Sequence, residues 1–343
     1  MKALVKTKQG YGNLEILEKL DPEPGKNQVK IEVKYAGICG TDIHTFEGHY
    51  KVAAPVTLGH EFSGVVVEVG EGVSDIKVGD RVTSETTFYI CGKCDYCKSM
   101  DYNLCPYRKG LGTQQDGAFA KYVIARKESV HLLPEHVDFK SAAMTEPLAC
   151  SYHAVEKTKI RENDVVVVIG PGPIGLLTAQ VAKSKGATVI ITGLTSDQAR
   201  LEKAVDLGID YAINIEEENV NKLIDQLTMG YGVDVVLECS GSVQGARQGL
   251  DLLRKKGRYV QVGLFPTPEI LFDLEKIIQK EIRVVGSRSQ KPADWKPSLE
   301  LLNEKKVDAA SLVTHIFDIS QWNDAYNAIK SGEAIKVLLK PID

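Results

Sequence analysis

The pattern of hydrophobic and polar positions divides the chain near residue 151. Before that point, short segments with alternating or β-branched hydrophobic positions are separated by glycines, which is typical of strands and turns. The clearest of these segments are KALVKT, QVKIEVKYAG, EFSGVVVEVG, KVGDRVTSE and FAKYVIAR. The pattern predicts an all-β or mixed domain of barrel-like shape over residues 1–150.

From residue 151, strands that are apolar throughout alternate with helical segments. Such strands are typical of a parallel sheet covered on both faces. The predicted strands are VVVVI, VIITG, YAINI, VDVVLECSG, YVQVGLF and IRVVGS, and the helices between them include RLEKAVDLG, NVNKLIDQLTM, VQGARQGLDLLRKKG and LEKIIQKE. We therefore predict an α/β protein with a doubly wound, six-stranded parallel sheet over 151–288. The tail 289–343 ends in AIKVLLKPID, a strand that we expect to return to the first domain.

Composition narrows the function classes without pointing to one. The 343 residues have room for two domains, and 43% hydrophobic with 26% charged residues excludes a disordered chain. A net charge of −4 makes nucleic acid an unexpected partner. With no apolar run near the ~20 residues of a membrane span and no apolar signal core in MKALVKTKQGYGN, we expect a soluble, cytoplasmic protein without membrane partners.

A glycine-rich loop follows the first apolar strand of the second region. In GPGPIG, Gly170 permits a tight turn, Gly172 lets the backbone approach a pyrophosphate, and Gly175 lets helix and strand pack closely. Pro173 suits the first helical turn, whose free N–H groups attract phosphate. The loop predicts dinucleotide binding, and the alternative is a tight turn in another α/β fold.

Four of the seven cysteines lie within fifteen residues, at Cys91, Cys94, Cys97 and Cys105. Four thiolates complete a tetrahedral zinc site without an open position, which makes the site structural. The alternative is a [4Fe–4S] cluster, but the ferredoxin motif places three residues before its last cysteine, whereas seven stand here.

A second candidate metal site combines residues that are far apart in sequence. Cys39 in AGICGTDIH, and His60 with Glu61 in LGHEFSG, offer a thiolate, an imidazole and a carboxylate. Glu146 in MTEPLAC offers a further carboxylate. A catalytic zinc needs about three protein ligands and one exchangeable position. Each residue alone is ordinary, because single cysteines and histidines are usually buried or surface groups that bind no metal.

The motifs taken together carry a resemblance. In order along the chain, ICGTDIH, GHEFSGVVVEVGEGVSDIKVGDRV, the four-cysteine segment, EPLAC and GPGPIG resemble the zinc-dependent medium-chain dehydrogenases, and are most similar to the sorbitol (polyol) and L-threonine dehydrogenase branches. The resemblance implies a GroES-like catalytic domain over 1–150 and 289–343, with a structural zinc lobe at about 88–108. It also implies a Rossmann NAD(P)-binding domain over 151–288, and a homotetramer formed through edge strands.

The resemblance also implies a catalytic zinc and its ligands. Cys39, His60 and Glu61 match the ligands of that zinc, the second of two per chain. Glu146 matches a carboxylate that contacts the zinc-bound water or ligates in turn. Cys150 stands where simple alcohol dehydrogenases of the family have a cysteine ligand, and its alternative role is in the wall of the pocket.

The implied reaction is oxidation of a secondary alcohol to a ketone. Zinc lowers the pKa of the bound hydroxyl, and the hydride passes to NAD(P)+. Thr41 and His44 match a proton relay in which Thr41 accepts the proton and His44 releases it to solvent. Asp42 matches a position that orients the loop. Without the resemblance, Thr41 and His44 are an ordinary turn hydroxyl and surface histidine.

Several residues after the strands match cofactor contacts of the family, or else ordinary strand-end turns. They are Ile174, Ser240, Gly241, Val262, Gly263, Leu264, Ser287 and Arg288. Their positions fit a doubly wound sheet, which binds ligands at the carboxyl ends of its strands. Arg288 has the alternative of reaching the substrate.

The stretch VIITGLTSDQAR departs from the usual dinucleotide fingerprint. Gly193 stands where an acid commonly binds the cofactor ribose. The hydroxyls of Thr195 and Ser196 and the guanidinium of Arg200 favour a 2′-phosphate, so we predict NADP+ use or preference. Asp197 is the alternative, because its carboxylate would suit the 2′-hydroxyl of NAD+.

The predicted substrate is a small polyol such as sorbitol. L-Threonine would need anchors for its ammonium and carboxylate groups, and no clear pair is evident. A 2,3-butanediol or simple secondary alcohol dehydrogenase remains an alternative, although Glu61 and Glu146 favour the polyol type. A zinc-free quinone reductase would lack the cysteine lobe, and a non-catalytic NAD(P)-binding protein would have lost ligand or relay residues.

Overall fold

The computed structural model describes residues 1–267 and 269–342, which divide into two units. The first unit comprises Met1–Glu146, Gln290–Glu304 and the chain from Ala309 onward. The second comprises Pro147–Ser289 and Lys305–Asp308. Within the described residues, no helix combines the length and the apolar composition that a membrane crossing needs.

The strands are β1 (Lys2–Lys6), β2 (Leu14–Glu18), β3 (Gln28–Gly37), β4 (Val56–Thr57), β5 (Glu61–Val69), β6 (Arg81–Ser84), β7 (Thr87–Tyr89), β8 (Lys109–Gly110), β9 (Tyr122–Arg126), β10 (Val130–Leu132), β11 (Val165–Ile169), β12 (Thr188–Gly193), β13 (Tyr211–Asn214), β14 (Val233–Glu238), β15 (Leu253–Gln261), β16 (Arg283–Gly286), β17 (Val313–Asp318) and β18 (Lys336–Lys340). The α-helices are α1 (Gly40–Phe46), α2 (Asp95–Lys98), α3 (Phe139–Ala143), α4 (Thr145–Thr158), α5 (Pro173–Ser184), α6 (Gln198–Asp206), α7 (Val220–Thr228), α8 (Val243–Leu252), α9 (Leu274–Lys280), α10 (Trp295–Asn303) and α11 (Trp322–Lys330).

The first unit is built on a mixed sheet. Among the described residues it has seven strands, with β10-β6-β5-β3-β18-β17 in order and β9 paired with β3. The C-terminal strand β18 is antiparallel to β3, with Leu339 opposite Ala36. Alternate positions of β3 are buried, as its apolar and polar alternation requires. This unit thus has the mixed β architecture predicted for the first part of the chain.

The second unit is a doubly wound α/β fold. Its described strands form a six-stranded sheet in the order β13-β12-β11-β14-β15-β16, and every pairing is parallel. The β11 side chains from Val166 to Ile169 are buried because helices cover both faces of the sheet. The predicted fold class, a mixed β domain with a six-stranded parallel sheet, is therefore confirmed.

The C-terminal end of one predicted helix in this unit is wrong. The helix predicted over VQGARQGLDLLRKKG ends at Leu252, and β15 begins at Leu253. Leu253 lies opposite Val233 in the sheet, and the register shifts before Arg258 pairs with Val235. Lys256 has a left-handed φ of 59°, which a helix does not accommodate. The segment RKKG was predicted as the end of the helix, but it forms part of β15 because the strand pairs with β14.

Candidate metal centre and nucleotide site

Cys39 lies where β3 gives way to α1 in the first unit. It is the residue that precedes the first turn of α1, and its backbone N–H donates to Asp42 Oδ2 at 2.9 Å. Asp42 is only 2% exposed, so its carboxylate is a buried support for this loop. The helix start thereby fixes the backbone from which the Cys39 thiol projects.

His60 and Glu61 enter the same region from the start of β5. Gly59 precedes them with a φ of 90°, and a Cβ there would lie 2.4 Å from the Phe119 ring, so the turn requires glycine. Glu61 is opposite Gly37 in the sheet register. A Cβ at Gly37 would lie 2.2 Å from Glu61 Oε2, so this glycine makes the space that the carboxylate fills.

These three side chains converge. One donor atom each from Cys39, His60 and Glu61 lies within 4.8 Å of the other two. His60 is 8% exposed and its Nδ1 has no hydrogen-bond partner among the described residues. Burial disfavours the His60 imidazolium, but the negative charges of Cys39 and Asp42 outweigh burial and raise its pKa well above its ordinary value. A largely buried, anion-rich pocket fits a divalent cation, and its sulfur, nitrogen and oxygen donors suit zinc.

Glu146 lies close to this centre but outside the convergent set. It is in the first turn of α4 and is 6% exposed. The negative charge of Glu146 raises the pKa of both His60 and Lys336, so Glu146 acts electrostatically on the Cys39 centre. Its role as an additional ligand stays a prediction. Cys150 lies on the same helix, in the second unit, and its role also stays a prediction.

Lys336 is a site residue that we did not anticipate from the sequence. It lies in β18, is 4% exposed, and its ammonium forms a buried ion pair with Glu61 Oε2. Burial lowers the pKa of Lys336, but the charges of Glu61 and Cys39 outweigh burial and hold it above the ordinary value. The available signal was a lysine inside the apolar strand AIKVLL, where an unpaired charge is not tolerated.

Thr41 and His44 follow Cys39 on α1. The Cys39 thiol lies 3.7 Å from Thr41 Oγ1, so that hydroxyl borders the metal centre. The His44 side chain is 55% exposed, and its Nδ1 lies 3.5 Å from Glu47 Oε2. One helix thus carries a hydroxyl at the buried centre and an imidazole in contact with solvent.

The four-cysteine lobe is a separate cluster in the same unit. The sulfur of Cys97 lies 3.5 Å from that of Cys94 and 3.9 Å from that of Cys91, and Cys105 Sγ lies 3.8 Å from Cys91 Sγ. Sulfur atoms bound to one tetrahedral zinc at 2.3 Å are separated by about 3.8 Å. Backbone N–H groups of Lys93 and Cys94 lower the pKa of the Cys91 thiol to about 6. The lobe therefore fits a closed tetrathiolate zinc site.

The glycine loop has its own geometry in the second unit. Gly170 has a φ of 96°, and a Cβ at Gly175 would lie 1.8 Å from the Gly170 carbonyl oxygen, so both glycines are required by the fold. A Cβ at Gly172, by contrast, would meet no described atom within 4 Å. Gly172 is the N-cap of α5, and Pro173 is its first residue. The open space above a helix N-terminus fits a pyrophosphate.

The end of β12 places Asp197 and Arg200 together. Asp197 Oδ2 accepts from the Leu194 N–H at 3.2 Å, and Oδ1 accepts from Arg200 at 3.2 Å. The Thr195 N–H donates to Glu216 at 2.8 Å, which brings a second acid to this turn. Ser196 is in the same short 3₁₀ turn. Arg200 is therefore engaged by Asp197, a pairing that sequence spacing did not reveal.

The strand ends of β14 and β15 meet around Glu238. This buried carboxylate, 0% exposed, accepts from the backbone N–H groups of Ser240 and Gly241 at 2.8 and 3.0 Å. The backbone carbonyl of Glu238 accepts from Val262 and Gly263, both at 2.9 Å. We did not single out Glu238 from the sequence, because VLEC gives no sign that its acid organises two loops.

The remaining predicted cofactor residues follow β15 and β16. Leu264 is 84% exposed, and the backbone N–H of Ser287 donates to the Gln261 carbonyl at 2.9 Å. Ile174 lies in the first turn of α5, and Arg288 follows Ser287. Their contacts with a cofactor stay predictions.

Comparison with known proteins gives two profile matches and close relatives. The profile "Alcohol dehydrogenase GroES-like domain" matches residues 25–135, and "Zinc-binding dehydrogenase" matches residues 173–304. The chain is 71% identical to sorbitol dehydrogenase of Halalkalibacterium halodurans over all of both chains. It is 48% identical to D-arabitol-phosphate dehydrogenase of Enterococcus avium, with 99% of this chain and 97% of the relative covered.

The chain belongs to the zinc-dependent medium-chain dehydrogenases. A solved structure extends the likeness to three dimensions. A protein assigned as a zinc-binding dehydrogenase in Sinorhizobium meliloti 1021, bound to NADP, has a TM-score of 0.91 at 31% identity, with 99% of each chain covered. As a zinc-dependent medium-chain dehydrogenase, the protein is an oxidoreductase that oxidises a secondary alcohol, of the simple alcohol or polyol class, with NAD(P)+.

Proposed function

We propose that the protein oxidises a polyol such as sorbitol to the ketone, with Cys39, His60 and Glu61 as the ligands of a catalytic zinc. The observation that carries the proposal is the convergence of these three donors within 4.8 Å. Three protein ligands leave an open position for substrate, whereas the four-cysteine lobe leaves none. Support for a polyol comes from the 71% identity to a sorbitol dehydrogenase over the full length.

The proposed chemistry divides between bound groups and side chains. When bound, zinc acts as a Lewis acid toward the alcohol oxygen, and NAD(P)+ accepts the hydride. The alcohol O–H proton passes to Thr41 Oγ1, which borders Cys39, and leaves through His44, whose side chain is 55% exposed. Glu146 adds a buried negative charge that raises the pKa of His60 and so opposes proton loss at the centre, and the positive charge of zinc, when bound, would outweigh it. The carbon thus loses a hydride, and the solvent gains a proton.

We further propose two zinc ions per chain, one in the lobe and one at the Cys39 centre. Support comes from two separate clusters of metal-ligating atoms with different donor types. Metal analysis of the purified protein should give two zinc ions per chain. One zinc per chain would remove the catalytic ion from the proposal and favour a non-catalytic NAD(P)-binding protein.

A substrate panel tests the reaction directly. Sorbitol, xylitol, D-arabitol phosphate, 2,3-butanediol and L-threonine are each supplied with NAD+ and with NADP+, and kcat/KM is measured for all ten pairs. The proposal expects the highest kcat/KM with an unphosphorylated polyol. Highest activity with L-threonine or 2,3-butanediol would instead favour a threonine dehydrogenase or a butanediol dehydrogenase, respectively. D-Arabitol phosphate is included because of the 48% identical relative.

For the cofactor, we propose that NADP+ is accepted, and preferred when Arg200 turns from Asp197 to the 2′-phosphate. Support comes from Gly193, which adds no acid, and from the hydroxyls of Thr195 and Ser196 beside it. The Asp197–Arg200 pair opposes this preference and supplies the test. Asp197→Ser should shift the kcat/KM ratio toward NADP+, and Arg200→Ala should shift it toward NAD+. A strong NAD+ preference that Arg200→Ala leaves unchanged would overturn the assignment.

The nucleotide site itself is proposed at the glycine loop. Because a Cβ at Gly172 would meet no described atom within 4 Å, Gly172→Ala should leave the free energy of unfolding within about 1 kcal/mol of wild type. The added methyl would instead occupy the ligand space, so the Kd for NAD(P)+ should rise at least about tenfold, or 1.4 kcal/mol. Gly175→Ala is the contrasting variant, because its Cβ would collide with Gly170 and should destabilise the fold. An unchanged Kd for NAD(P)+ in Gly172→Ala would show that the pyrophosphate binds elsewhere.

The assembly is proposed to be a homotetramer formed through the edge of the second unit. Support comes from exposed apolar side chains on β16 and α9: Val284 is 38% exposed, Leu274 67% and Ile278 71%. Exposed apolar patches of this kind mark protein interfaces. Light scattering should give four chains, and Ile278→Glu should reduce that number. We also propose the cytoplasm as the location, since a zinc-binding thiol cluster persists where thiols stay reduced.

A further inference from the structure

A second group of metal-ligating side chains lies on the outside of α1. His44 is in the last turn of the helix, Glu47 caps it, and His49 follows two residues later. The backbone N–H of His49 donates to the His44 carbonyl at 2.8 Å, which folds the chain back over the helix end. The turn depends on Gly48, whose φ is 82° and whose Cβ would lie 2.9 Å from the backbone at Gly10.

The donor atoms of this group are spaced for one ion. Glu47 Oε2 lies 3.5 Å from Nδ1 of His44 and 3.5 Å from Nδ1 of His49. All three side chains offer a donor within 4.8 Å of the other two. Nitrogen and oxygen ligands of a tetrahedral zinc, each at about 2.1 Å, are about 3.4 Å apart. The two Glu47–histidine distances match that value, and the two imidazoles, whose donor atoms lie within 4.8 Å of each other, would approach to it on binding.

Glu47 is held with one oxygen toward the histidines. Its Oε1 accepts from the Tyr326 hydroxyl at 3.1 Å and from Lys330 Nζ at 3.0 Å, and its side chain is 13% exposed. Burial opposes ionisation, but the hydrogen bonds from Lys330 and Tyr326 outweigh it, so the pKa of Glu47 is lowered. Hydrogen bonds to Oε1 orient the carboxylate and leave Oε2 available to a metal, as hydrogen bonds to metal-bound carboxylates do in known sites. Lys330 is on that far side and is 52% exposed, which screens its charge from an ion at Oε2.

The histidines are open to solvent. The His44 and His49 side chains are 55% and 73% exposed, so an ion can reach them without any opening of the fold. Two imidazoles and one carboxylate form a ligand set that zinc takes in proteins with its fourth position left to water.

We propose that His44, Glu47 and His49 form an exterior site for Zn²⁺ or a similar divalent transition metal, and that its occupation inhibits the enzyme by capturing His44. A nitrogen lone pair that binds a metal cannot accept a proton, so metal-bound His44 can no longer pass the proton from Thr41 to solvent. Metal binding at this site stands by itself, whereas the inhibition rests on the proposed role of His44 in proton release. Excess zinc therefore both binds and slows the enzyme.

Calorimetric titration of the zinc-loaded, dialysed enzyme with ZnCl₂ tests the binding. Wild type should take up one further zinc per chain. His49→Gln and Glu47→Gln should each weaken that step at least about tenfold, as loss of a ligand requires. His136→Gln, which removes an exposed histidine elsewhere in the first unit, is the matched control and should bind like wild type. No further zinc in wild type, or equal uptake by His49→Gln, would overturn the site.

Turnover measured across the same zinc concentrations tests the inhibition. His49→Gln should keep wild-type turnover without added zinc, because His49 has no part in the proposed reaction, and should resist zinc at concentrations that inhibit wild type. His44→Gln separates the two proposals, because it should lose both the further zinc and most turnover. If it loses the zinc but keeps turnover, the relay is wrong and the exterior site stands. If wild type binds the further zinc without loss of turnover, the inhibitory part is overturned.

Discussion

The four-cysteine lobe and the Cys39 centre are both thiol-containing sites of the first unit, but the chain assembles them in opposite ways. The lobe takes all its sulfurs from residues 91–105. Cys97 and Cys105 are buried, Cys91 and Cys94 are half-buried, and backbone N–H groups support Cys91 locally. The Cys39 centre takes its donors from the end of β3 and the start of β5, and buries them with Lys336 from β18. In this chain the proposed closed site comes from one local segment, whereas the proposed site with an open position is assembled by the fold.

The centre differs from the lobe in charge as well as in connectivity. Lys336 neutralises part of the anionic cluster from within, and Asp42 supports the Cys39 loop by a backbone hydrogen bond. In the lobe, the backbone N–H groups of Lys93 and Cys94, rather than a charged side chain, lower the pKa of the Cys91 thiol. We therefore expect a metal at the centre to interact with a set of buried charges, and a metal in the lobe to stabilise a segment that has little hydrophobic core of its own.

The largest effect is expected from removing the thiol at the centre. Cys39→Ala should reduce polyol turnover by at least about a thousandfold, or about 4 kcal/mol, because a bound metal ion stabilises developing charge by several kcal/mol. Cofactor binding and the zinc of the lobe should persist. Steady-state rates, metal analysis and NAD(P)H fluorescence check these outcomes. Full activity in Cys39→Ala would remove the metal from the mechanism.

The matching change in the lobe should act on structure instead. Cys97→Ser leaves three sulfurs, so zinc is lost from a segment with little core of its own. Limited proteolysis should then cut within residues 91–105 of the variant, whereas we expect the same segment of the wild type to resist cleavage. The kcat per folded chain should fall much less than in Cys39→Ala. Equal loss of kcat in both variants would end the distinction between the two sites.

The buried ion pair gives an intermediate effect on stability. Lys336→Met leaves the Glu61 carboxylate buried without its cation, and should lower the free energy of unfolding of the zinc-free protein by about 3 kcal/mol. Lys340→Met, at the exposed end of the same strand, is the control and should change it by less than about 0.5 kcal/mol. Urea unfolding measures both values. Equal stability of the two variants would mean that the pair contributes nothing.

The smallest effect is expected at the support of the Cys39 loop. Asp42→Ala removes the acceptor of the Cys39 N–H, and should weaken zinc at the centre about tenfold while the lobe keeps its zinc. Competition with a chelator, followed by metal analysis, measures the affinity of each site. Zinc lost equally from both sites would show that Asp42 supports the whole unit rather than the centre.

The contrast also explains which features could be predicted from the sequence. The spacing of Cys91, Cys94, Cys97 and Cys105 predicted the lobe because all the information is local. Apolar strands alternating with helices predicted the parallel sheet for the same reason. The end of α8 was missed at Leu252, because pairing with Val233 depends on a distant strand.

The partners of the site residues could not be predicted in the same way. Sequence spacing does not show which cationic side chain pairs with Glu61, because its partner Lys336 is 275 residues away. The engagement of Arg200 by Asp197 depends on rotamers within one turn. The sequence therefore predicted candidate residues for the chemistry, and the fold was needed to know which charged groups surround them.

Removal and return of the exchangeable zinc tests the central claim most directly. A chelator should remove the zinc of the open Cys39 centre and leave the closed lobe loaded, which abolishes sorbitol oxidation at one zinc per chain. Zinc added back in small steps should restore activity in proportion, up to two zinc ions per chain. Full sorbitol turnover at one zinc per chain, with that zinc in the lobe, would contradict the account.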